Sequence, residues 1–358
     1  MRLVRLEVRG YRNLPDCELR VPEDGVVLLG ANGQGKTNFL EAAYYPVLFR
    51  SFRGAGDSEL VRFGESAFRV VAGFEVNGHA RSASTTFITT GRKKRNEVDG
   101  TELERLANGA GAWLAVTFLP GDVTLASGPA SERRYFLDRT LSLANTGYLR
   151  SLSRYRAALV QRNAALRQGR ADLARAFDRP LSDSGAEVVM ARLGWAGVAA
   201  ARFTSEFAGL GEPSVARLSY HGNGALAERS AWPDELARAS ARDQARGMTT
   251  VGPHRDDLRL FLDDRAIRDF GSTGQQRSAA IALKLLELET LRDARGVQPA
   301  LLLDDVFAEL DRPRQLSLLA RLRRGGGQVM ITSPRADELP DDAGLTVWRV
   351  EGGRVHER

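Results

Sequence analysis

The segment that most constrains this chain is the glycine-rich run at residues 30–37, GANGQGKT. A short apolar run at residues 26–29 precedes it, and a helix-forming stretch begins at Asn38. The pattern G-x-x-x-x-G-K-T binds polyphosphates when it joins a strand to a helix in this way. Its glycines let backbone N–H groups face phosphate oxygens, Lys36 supplies a positive charge, and the Thr37 hydroxyl can ligate Mg²⁺. We therefore predict a nucleotide-binding P-loop.

A second motif follows the apolar run at residues 300–303, which ends in Asp304 and Asp305. A buried parallel strand that delivers a carboxylate at its C-terminal end is typical of the Walker B element of P-loop ATPases. We expect Asp304 to hold Mg²⁺ together with Thr37, and Asp305 to orient or deprotonate the attacking water. Lys36, Asp304 and Asp305 are therefore the predicted catalytic residues.

A third motif lies directly before a helical pattern at residues 277–291. Its serine is suited to cap that helix, and its glycine permits the close approach of a ligand. The free backbone N–H groups at the start of a helix favour an anion. We predict a second phosphate-facing element here, consisting of Ser272, Thr273, Gly274, Gln275 and Gln276.

The middle of the chain has a different pattern. Its 358 residues suffice for one large or two moderate domains, and helical patterns dominate from about Asp122 to about Leu210. Leucines at 152, 159 and 166 repeat every seven positions, which predicts a seam that pairs with a second helix over residues 187–207. We predict an ATPase lobe (1–120 and 250–358, with all three motifs) and a mainly helical lobe (121–249) that carries a short helical arm.

Local signals predict several further elements. We expect strands at residues 3–8, 17–21, 68–76, 84–90, 215–220 and 258–262. The basic run at residues 91–96 is predicted to be a solvated turn. Pro46 is expected to kink or end the helix after the P-loop, and Ser131 to cap a helix.

The charge distribution favours a polyanionic partner. The net charge is +6, and residues 121–249 contain 18 arginines, no lysine and 13 acidic residues. Within them, residues 150–170 hold six arginines and no acid. Such clusters suit nucleic acid, although they also occur on solvated helix faces. The residues predicted to contact DNA are Arg92, Lys93, Lys94, Arg95, Arg150, Arg154 and Arg156.

Other features restrict the class of protein. No apolar run reaches the length needed to span a membrane, and Glu7 and Arg9 lie where a signal peptide has its apolar stretch. The single cysteine, Cys17, excludes an intrachain disulfide and fits a reducing compartment. One histidine, His254, has acids nearby, but this pattern gives poor metal geometry. We expect a cytoplasmic protein with ATP and Mg²⁺ as cofactors and no membrane partner.

The order of the three motifs resembles the ABC-type ATPase head, in which Ser-x-Gly-Gln is the signature motif. The resemblance narrows to the RecF family of bacterial recombination mediators, and matching residues run nearly end to end. Two stretches, Gly-Pro-x-x-x-Arg-Arg and Gly-Pro-His-Arg, are specific to this family among ABC heads. The matching residues are the P-loop with Asn38, Leu40 and Glu41; Ser51, Phe52 and Arg53; Phe118, Pro120 and Asp122; Gly128, Pro129, Arg133 and Arg134; Phe136, Leu137 and Asp138; 252–255, Asp257 and Leu258; 272–276; and 301–311.

The resemblance implies an α/β fold, with mixed β-sheets around the P-loop helix and a second, mainly helical lobe. It implies that ATP binds between two heads, with the signature of one copy facing the P-loop of the other. Asp311 is then the D-loop residue at the dimer interface. The implied ATP-binding residues are Gly30, Ala31, Asn32, Gly33, Gln34, Gly35, Lys36, Thr37, Asn38 and Arg12.

The resemblance also implies a function in recombinational repair and replication-gap processing. ATP would close a homodimer on duplex DNA near single-strand gaps, and weak, DNA-dependent hydrolysis would reopen it. The implied protein partners are RecR and RecO, which help to load RecA.

Four departures from the wider ABC pattern bear on hydrolysis. Asp305 stands where most ABC ATPases have glutamate, and Thr332 where many have the switch histidine. No glutamine for a Q-loop occurs at residues 117–122, and Thr273 replaces the first signature glycine. The alternatives are a transporter ATPase subunit, a P-loop kinase or nucleotide switch, and a short chromosome-organising head. The missing Q-loop disfavours the first, and the lack of a long coiled coil disfavours the last.

Overall fold

A computed structural model of the chain describes residues 1–339 and 344–357. The strands, in chain order, are β1 (Arg2–Arg9), β2 (Cys17–Arg20), β3 (Gly25–Leu29), β4 (Ala67–Val76), β5 (His79–Ile88), β6 (Lys93–Val98), β7 (Thr101–Glu102), β8 (Ala115–Phe118), β9 (Ala216–His221), β10 (Asp257–Leu262), β11 (Arg265–Ala266), β12 (Ala300–Asp304), β13 (Val329–Ser333), β14 (Thr346–Glu351) and β15 (Arg354–Glu357). The α-helices are α1 (Lys36–Leu48), α2 (Asp57–Leu60), α3 (Thr124–Ser127), α4 (Ala130–Ala144), α5 (Thr146–Arg167), α6 (Ala171–Arg175), α7 (Asp178–Ala208), α8 (Trp232–Arg246), α9 (Ile267–Phe270), α10 (Thr273–Arg295) and α11 (Arg312–Arg324).

The chain divides into two compact units. The first unit comprises Met1–Asp122, Gly209–Gly211 and Glu287–Arg358, and the second comprises Val123–Ala208 and Glu212–Leu286. The predicted division differs mainly over residues 250–286, which the structure groups with the second unit, and also over residues 121–122 and 209–211, which it groups with the first. The reason for the main difference is that β10 pairs with β9, and Ala279 and Leu283 of α10 share a core with Leu218 and Leu260. The third motif therefore belongs to the second unit.

A six-stranded sheet with the order β15-β14-β3-β13-β12-β8 forms the centre of the first unit. All of its strands are parallel except β15, which pairs antiparallel with β14. Its central strands are apolar and buried along their length, as a parallel sheet covered on both faces requires. Because parallel strands share a direction, the loops after β3, β13 and β12 leave the sheet at the same edge.

A second sheet of the first unit is antiparallel, with the order β2-β1-β4-β5-β6-β7. Its turns follow the predicted chemistry, since Asn77 and Gly78 both have positive φ, as a type I′ turn requires. The sheet contacts α1 through an aromatic cluster in which Phe68 packs edge-on against Tyr11 and Tyr45. The P-loop helix is thus supported by the antiparallel sheet as well as by the parallel one.

The second unit is mainly helical. Leu152 and Tyr155 of α5 pack with Val188 and Val189 of α7 in one apolar core, so the predicted helix pairing is confirmed. A three-stranded antiparallel sheet, β11-β10-β9, lies beside a second core that contains Phe203 and Phe207.

Two local expectations, for Ser131 and for the basic run, were wrong, and Pro46 does not end its helix. The helix α1 continues through Pro46 and ends only after Leu48, where Phe49 adopts a left-handed conformation. The helix α4 begins at Ala130 after Pro129, so Ser131 lies inside the helix and is not its cap. The basic run at 91–96 is largely strand β6, because its backbone pairs with β5. In the basic run, strand pairing prevails over the local turn signal.

Candidate nucleotide-binding site

Three neighbouring strands bring the phosphate-side motifs of the first unit together. The P-loop follows β3, Asp304 ends β12 with Asp305 directly after it, and Thr332 lies near the end of β13, the strand between β3 and β12. In register, Asp304 pairs with Thr332, and Thr332 pairs with Leu28. Ligands of open α/β sheets bind at such carboxyl edges. The sequence-predicted P-loop and Walker B residues are thus assembled at one site.

The Lys36 side chain folds back onto the backbone at the start of the P-loop. The Lys36 ammonium donates hydrogen bonds to the carbonyl oxygens of Gly30 at 2.6 Å and Ala31 at 3.2 Å. Gly35 has a φ of 105°, and a Cβ there would lie 2.9 Å from the Asn13 side chain, so only glycine fits. The lysine charge is held where a phosphate group would approach.

Thr37 and Asp304 form the predicted pair for Mg²⁺. The Thr37 hydroxyl donates to Asp304 Oδ1 at 2.8 Å, and Asp304 is 7% exposed. Burial raises the pKa of the Asp304 carboxyl, against the opposing hydrogen bonds from Thr37 and Thr332. No lysine or arginine forms an ion pair with this carboxylate in the described part of the chain. The residues fit Mg²⁺, which prefers one or two carboxylate oxygens and completes its shell with phosphates and water.

Thr332 holds the two acids together, a role that the sequence did not reveal. Its buried hydroxyl lies 2.9 Å from Asp304 Oδ1 and 3.1 Å from Asp305 Oδ1, and it accepts the Asp305 backbone N–H at 2.9 Å. Asp305 has a φ of 50°, a left-handed conformation that is uncommon for residues other than glycine but that aspartate tolerates better than most. The polar residue at the end of β13, directly beside Asp304 in a parallel sheet, was the signal available.

A buried ion pair anchors Arg12 beside the P-loop helix. Arg12 donates to both carboxylate oxygens of Glu41, at 3.0 and 3.2 Å, and Glu41 is fully buried. Ser51 also donates to Glu41, at 2.5 Å, and Arg12 donates to the Glu59 carbonyl at 3.3 Å. These contacts fix the guanidinium in place, and its contact with ATP stays a prediction.

Asn13 supports the P-loop and was missed by sequence reasoning. The Asn38 side chain donates to Asn13 Oδ1 at 2.8 Å and accepts from Arg53 at 3.1 Å. Asn38 thereby links the turn after β1 to the first turn of α1. An asparagine in a turn carries no functional signal by itself, so only the fold identifies it.

The turn between β14 and β15 supports the loop from the other side. Gly353 donates its backbone N–H to the Gln34 carbonyl at 2.8 Å, and Gly352 donates to Gln34 Oε1 at 2.6 Å. A Cβ on Gly353 would lie 2.2 Å from the Asn13 carbonyl oxygen. The end of the chain thus helps to hold the P-loop in shape.

The third motif forms a capped helix start in the second unit. Gln275 donates its backbone N–H to Ser272 Oγ at 3.2 Å, and Ser272 donates its own to Gln275 Oε1 at 2.9 Å. This reciprocal pair is a capping box at the start of α10, as the serine predicted. Ser272 and Thr273 are exposed, and the role of the motif in a second copy stays a prediction.

Asp311, the predicted D-loop residue, caps α11. Its side chain accepts the backbone N–H of Arg314 at 3.0 Å and pairs with the Arg314 guanidinium at 2.6 Å. The side chain is about half exposed, so this local role leaves one face open. Its position at a dimer interface stays a prediction.

The predicted DNA contacts divide into engaged and exposed residues. Lys94 donates to Tyr45, to the Phe49 carbonyl and to Asp57 at 2.6–3.1 Å, so its three donors are used inside the first unit. The DNA contact of Lys94 stays a prediction. Arg95, Arg154 and Arg156 form ion pairs with carboxylates, whereas Arg92, Lys93 and Arg150 are exposed without one in the described residues.

We expect Lys94→Met to lower the free energy of unfolding by about 2–3 kcal/mol, because it leaves Asp57 and the Phe49 carbonyl without their cation. Urea unfolding of the purified variant measures this change. The matched control is Lys93→Met, since Lys93 is exposed and should change stability by no more than about 0.5 kcal/mol. Equal stability of the two variants would contradict the structural role of Lys94.

His254 has a structural role in the second unit. Its Nε2 lies 2.9 Å from the Thr249 carbonyl oxygen, and its Nδ1 lies 2.6 Å from the Tyr155 hydroxyl. Burial lowers the pKa of His254, with a further contribution from Arg255.

Within residues 1–339 and 344–357, no group of three or more His, Cys, Asp or Glu is arranged to hold a metal ion. Over the same residues, no helix combines the length and apolarity needed to cross a membrane.

Comparison with curated proteins gives relatives along the full length. The chain is 38% identical over 368 residues to the DNA replication and repair protein RecF of Anaeromyxobacter sp. (strain Fw109-5), with 99% of each chain covered. No family model matches the chain.

The fold of this chain is similar to those of RecF and Smc proteins whose structures have been solved. The recombination mediator protein RecF with ATP, of the RecFOR pathway, matches with a TM-score of 0.90 and 29% identity, over 99% of this chain and 97% of that one. The Smc head bound to the C-terminal winged-helix domain of ScpA matches with a TM-score of 0.59 and 14% identity, over 99% and 96% of the two chains. The matches confirm the predicted α/β fold of an ABC-type ATPase head.

Proposed function

This chain belongs to the RecF family of DNA replication and repair proteins, and from that premise we propose that it is an ATP-dependent, DNA-binding recombination mediator. The observation that carries the proposal is the contact of the Thr37 hydroxyl with Asp304 at 2.8 Å, beside the P-loop lysine. A transporter subunit or a small-molecule kinase would not be expected to match RecF proteins along 99% of the chain.

Each polar residue of the site has a defined task in this proposal. Lys36 and the backbone N–H groups of residues 30–37 bind the β- and γ-phosphates of ATP. Thr37 and Asp304 would hold Mg²⁺, which supplies charge neutralisation at these phosphates when it is bound. Arg12, held by Glu41 on the turn after β1, would be a further nucleotide contact.

Hydrolysis depends on Asp305 in this scheme. Its carboxylate orients the attacking water and accepts a proton from it, while Thr332 fixes the backbone and side chain of Asp305. Aspartate is one methylene shorter than the glutamate found in most ABC ATPases. We therefore propose a slow ATPase, stimulated by DNA, whose turnover reopens the complex.

ATP is proposed to join two copies of the chain head to head. The signature residues 272–276 of one copy would face the γ-phosphate held by the other, and Asp311 would cross the interface. Ser272 is exposed at the start of α10, where helix N–H groups favour an anion. Lys36 of the other copy offers a positive charge on the P-loop side of the same phosphate. Nucleotide binding and dimerisation are then a single event.

Light scattering coupled to gel filtration tests this step. With ATP, the wild-type mass is expected to rise from 39.2 kDa to twice that value, while Ser272→Arg stays monomeric because its side chain fills the phosphate position. The control Ser205→Arg makes the same change on an exposed position of α7 and should dimerise normally. A Ser272→Arg protein that dimerises like the wild type would exclude the trans signature.

The proposed partners follow from the family. ATP-bound dimers bind duplex DNA near single-strand gaps, and RecR and RecO connect them to RecA loading in the cytoplasm. Binding assays with duplex, single-stranded and gapped DNA, with and without ATP, test the first step. Equal affinity for all three forms in both states would contradict an ATP-gated clamp at gaps.

A further inference from the structure

Two stretches that the sequence singles out, residues 128–134 and 252–258, are not part of the ATPase site, and the structure joins them inside the second unit. Arg133, of the first stretch, donates from Nε and Nη2 to the two carboxylate oxygens of Asp257, of the second, at 2.9 and 3.1 Å. Arg133 also donates to the Gly128 carbonyl at 2.8 Å. It is 5% exposed, so this contact is the buried junction of the two stretches. We call the joined segments, residues 128–138 and 252–257, the platform.

The other inner members of the platform are also satisfied. Arg192 donates to the Pro253 carbonyl at 2.7 Å and pairs with Asp138 at 2.6 Å. Asp256 accepts from the Tyr220 hydroxyl, and a backbone bond of 2.9 Å from Arg255 to the Gly252 carbonyl closes the turn. The platform is therefore rigid, because its backbone is fixed by proline and by buried hydrogen bonds.

The outer members, Arg134 and Arg255, differ from the inner ones. Arg134 is half-buried and donates to the Asp256 carbonyl at 2.7 Å, and no carboxylate lies within ion-pair distance of it in the described residues. Arg255 is exposed, and its side chain has no hydrogen-bond or ion-pair partner within residues 1–339 and 344–357. Two guanidinium groups thus lie on one platform without an anion of their own.

The charges around Arg134 favour the binding of an anion. Burial lowers the pKa of Arg134, and the neighbouring Arg192 and Arg255 lower it further, against the opposing charges of Asp257 and Asp256. The like charges therefore repel each other across the platform. A bound anion would relieve that repulsion and would accept hydrogen bonds from the free N–H groups.

We propose that Arg134 and Arg255 bind a backbone phosphate of DNA. The inference rests on the proposed DNA-binding function and names its residues. A guanidinium presents planar paired donors that match phosphate oxygens, and the rigid turn lowers the entropy lost when Arg255 is ordered. By contrast, Arg154 and Arg156, predicted as DNA contacts from the sequence, are already paired with Glu187 and Asp138.

The test measures DNA binding as a function of salt. Fluorescence anisotropy with a labelled duplex and ATP gives Kd over a series of NaCl concentrations for the wild type and Arg255→Gln. Loss of one phosphate contact is expected to reduce the slope of log K against log salt by about 0.9, which is an affinity loss of about eightfold near 0.1 M salt. Arg134→Lys with Arg255→Gln should weaken binding further.

The matched control is Arg238→Gln, which removes the same charge from an exposed arginine of α8 that pairs with Glu235. Its slope should equal that of the wild type. Identical slopes for Arg255→Gln and Arg238→Gln would overturn the assignment, since the loss would then reflect net charge alone.

A separate titration with a fluorescent ATP analogue distinguishes failure of this inference from failure of the proposed function. Arg255→Gln should bind ATP like the wild type, because it lies outside the P-loop and Walker B residues. A wild-type protein that binds ATP but no DNA in any state would overturn both the proposed DNA binding and this site. A wild-type protein that binds DNA with a variant slope unchanged would overturn the site alone.

Discussion

Lys36→Met is expected to weaken ATP binding at least about 100-fold, which corresponds to about 2.7 kcal/mol. The substitution keeps the length of the side chain and removes its charge. The ammonium that now rests on the Gly30 and Ala31 carbonyls would be lost to the β- and γ-phosphates. Charge-assisted contacts of this kind are the strong ones in a phosphate site. Titration with a fluorescent ATP analogue measures the change.

The control for this prediction is again Lys93→Met, which removes an equal charge from an exposed position of β6. It should bind the ATP analogue within about twofold of the wild type, since surface substitutions outside the site have small effects. ATP affinity retained by Lys36→Met would show that residues 30–37 are not the phosphate site. The proposed ATP-dependent dimer would then fail with it.

Asp305→Asn is expected to lower the rate of ATP hydrolysis at least about 100-fold while ATP still binds within about twofold. The amide keeps the size of the side chain and can remain near the Thr332 hydroxyl, but it cannot accept a proton from water. The ATP-bound dimer should therefore accumulate and persist. Phosphate release measures hydrolysis, and light scattering measures the dimer.

Two further variants separate the roles of the neighbouring groups. Asp304→Asn should lose Mg²⁺-dependent ATP binding as well, because Asp304 is the carboxylate next to Thr37. Thr332→Val keeps the shape and removes the hydroxyl that fixes Asp305, so hydrolysis should fall by about tenfold with ATP binding retained. Normal hydrolysis by Asp305→Asn would move the general base to another residue.

The P-loop and the Walker B acids could be predicted from the sequence because their chemistry is local. A strand, a loop with fixed glycines and a helix start are encoded in adjacent residues, and the two acids stand together at the end of one apolar strand, β12. The capping box of Ser272 and Gln275 is local in the same sense. Strand β4, the turn at Asn77 and the pairing of α5 with α7 also followed from periodicity and turn chemistry.

The ion-pair partners of the basic residues could not be predicted from the sequence. Residues 150–170 contain no acidic residue, so the cluster looked unpaired in the sequence. Folding brings Glu187 of α7 to Arg154 and Asp138 of α4 to Arg156. Lys94, from the basic run at 91–96, likewise enters a partly buried network with Tyr45 and Asp57. Ion pairs form between residues that are close in the folded structure. A count of charged residues along a segment therefore misses partners that are distant in sequence.

The sequence alone determined which groups are predicted to meet the phosphates, since the glycines and Lys36 at residues 30–37 have few other uses in that order. Only the tertiary structure decided how this loop is held. Thr332 clamps the two acids, Asn13 bonds to Asn38, and Gly353 bonds to Gln34 from the far end of the chain. The physical reason is that the phosphate chemistry depends on residue type at short spacing. The rigidity of the site depends on hydrogen bonds between strands that are adjacent only in the folded sheet.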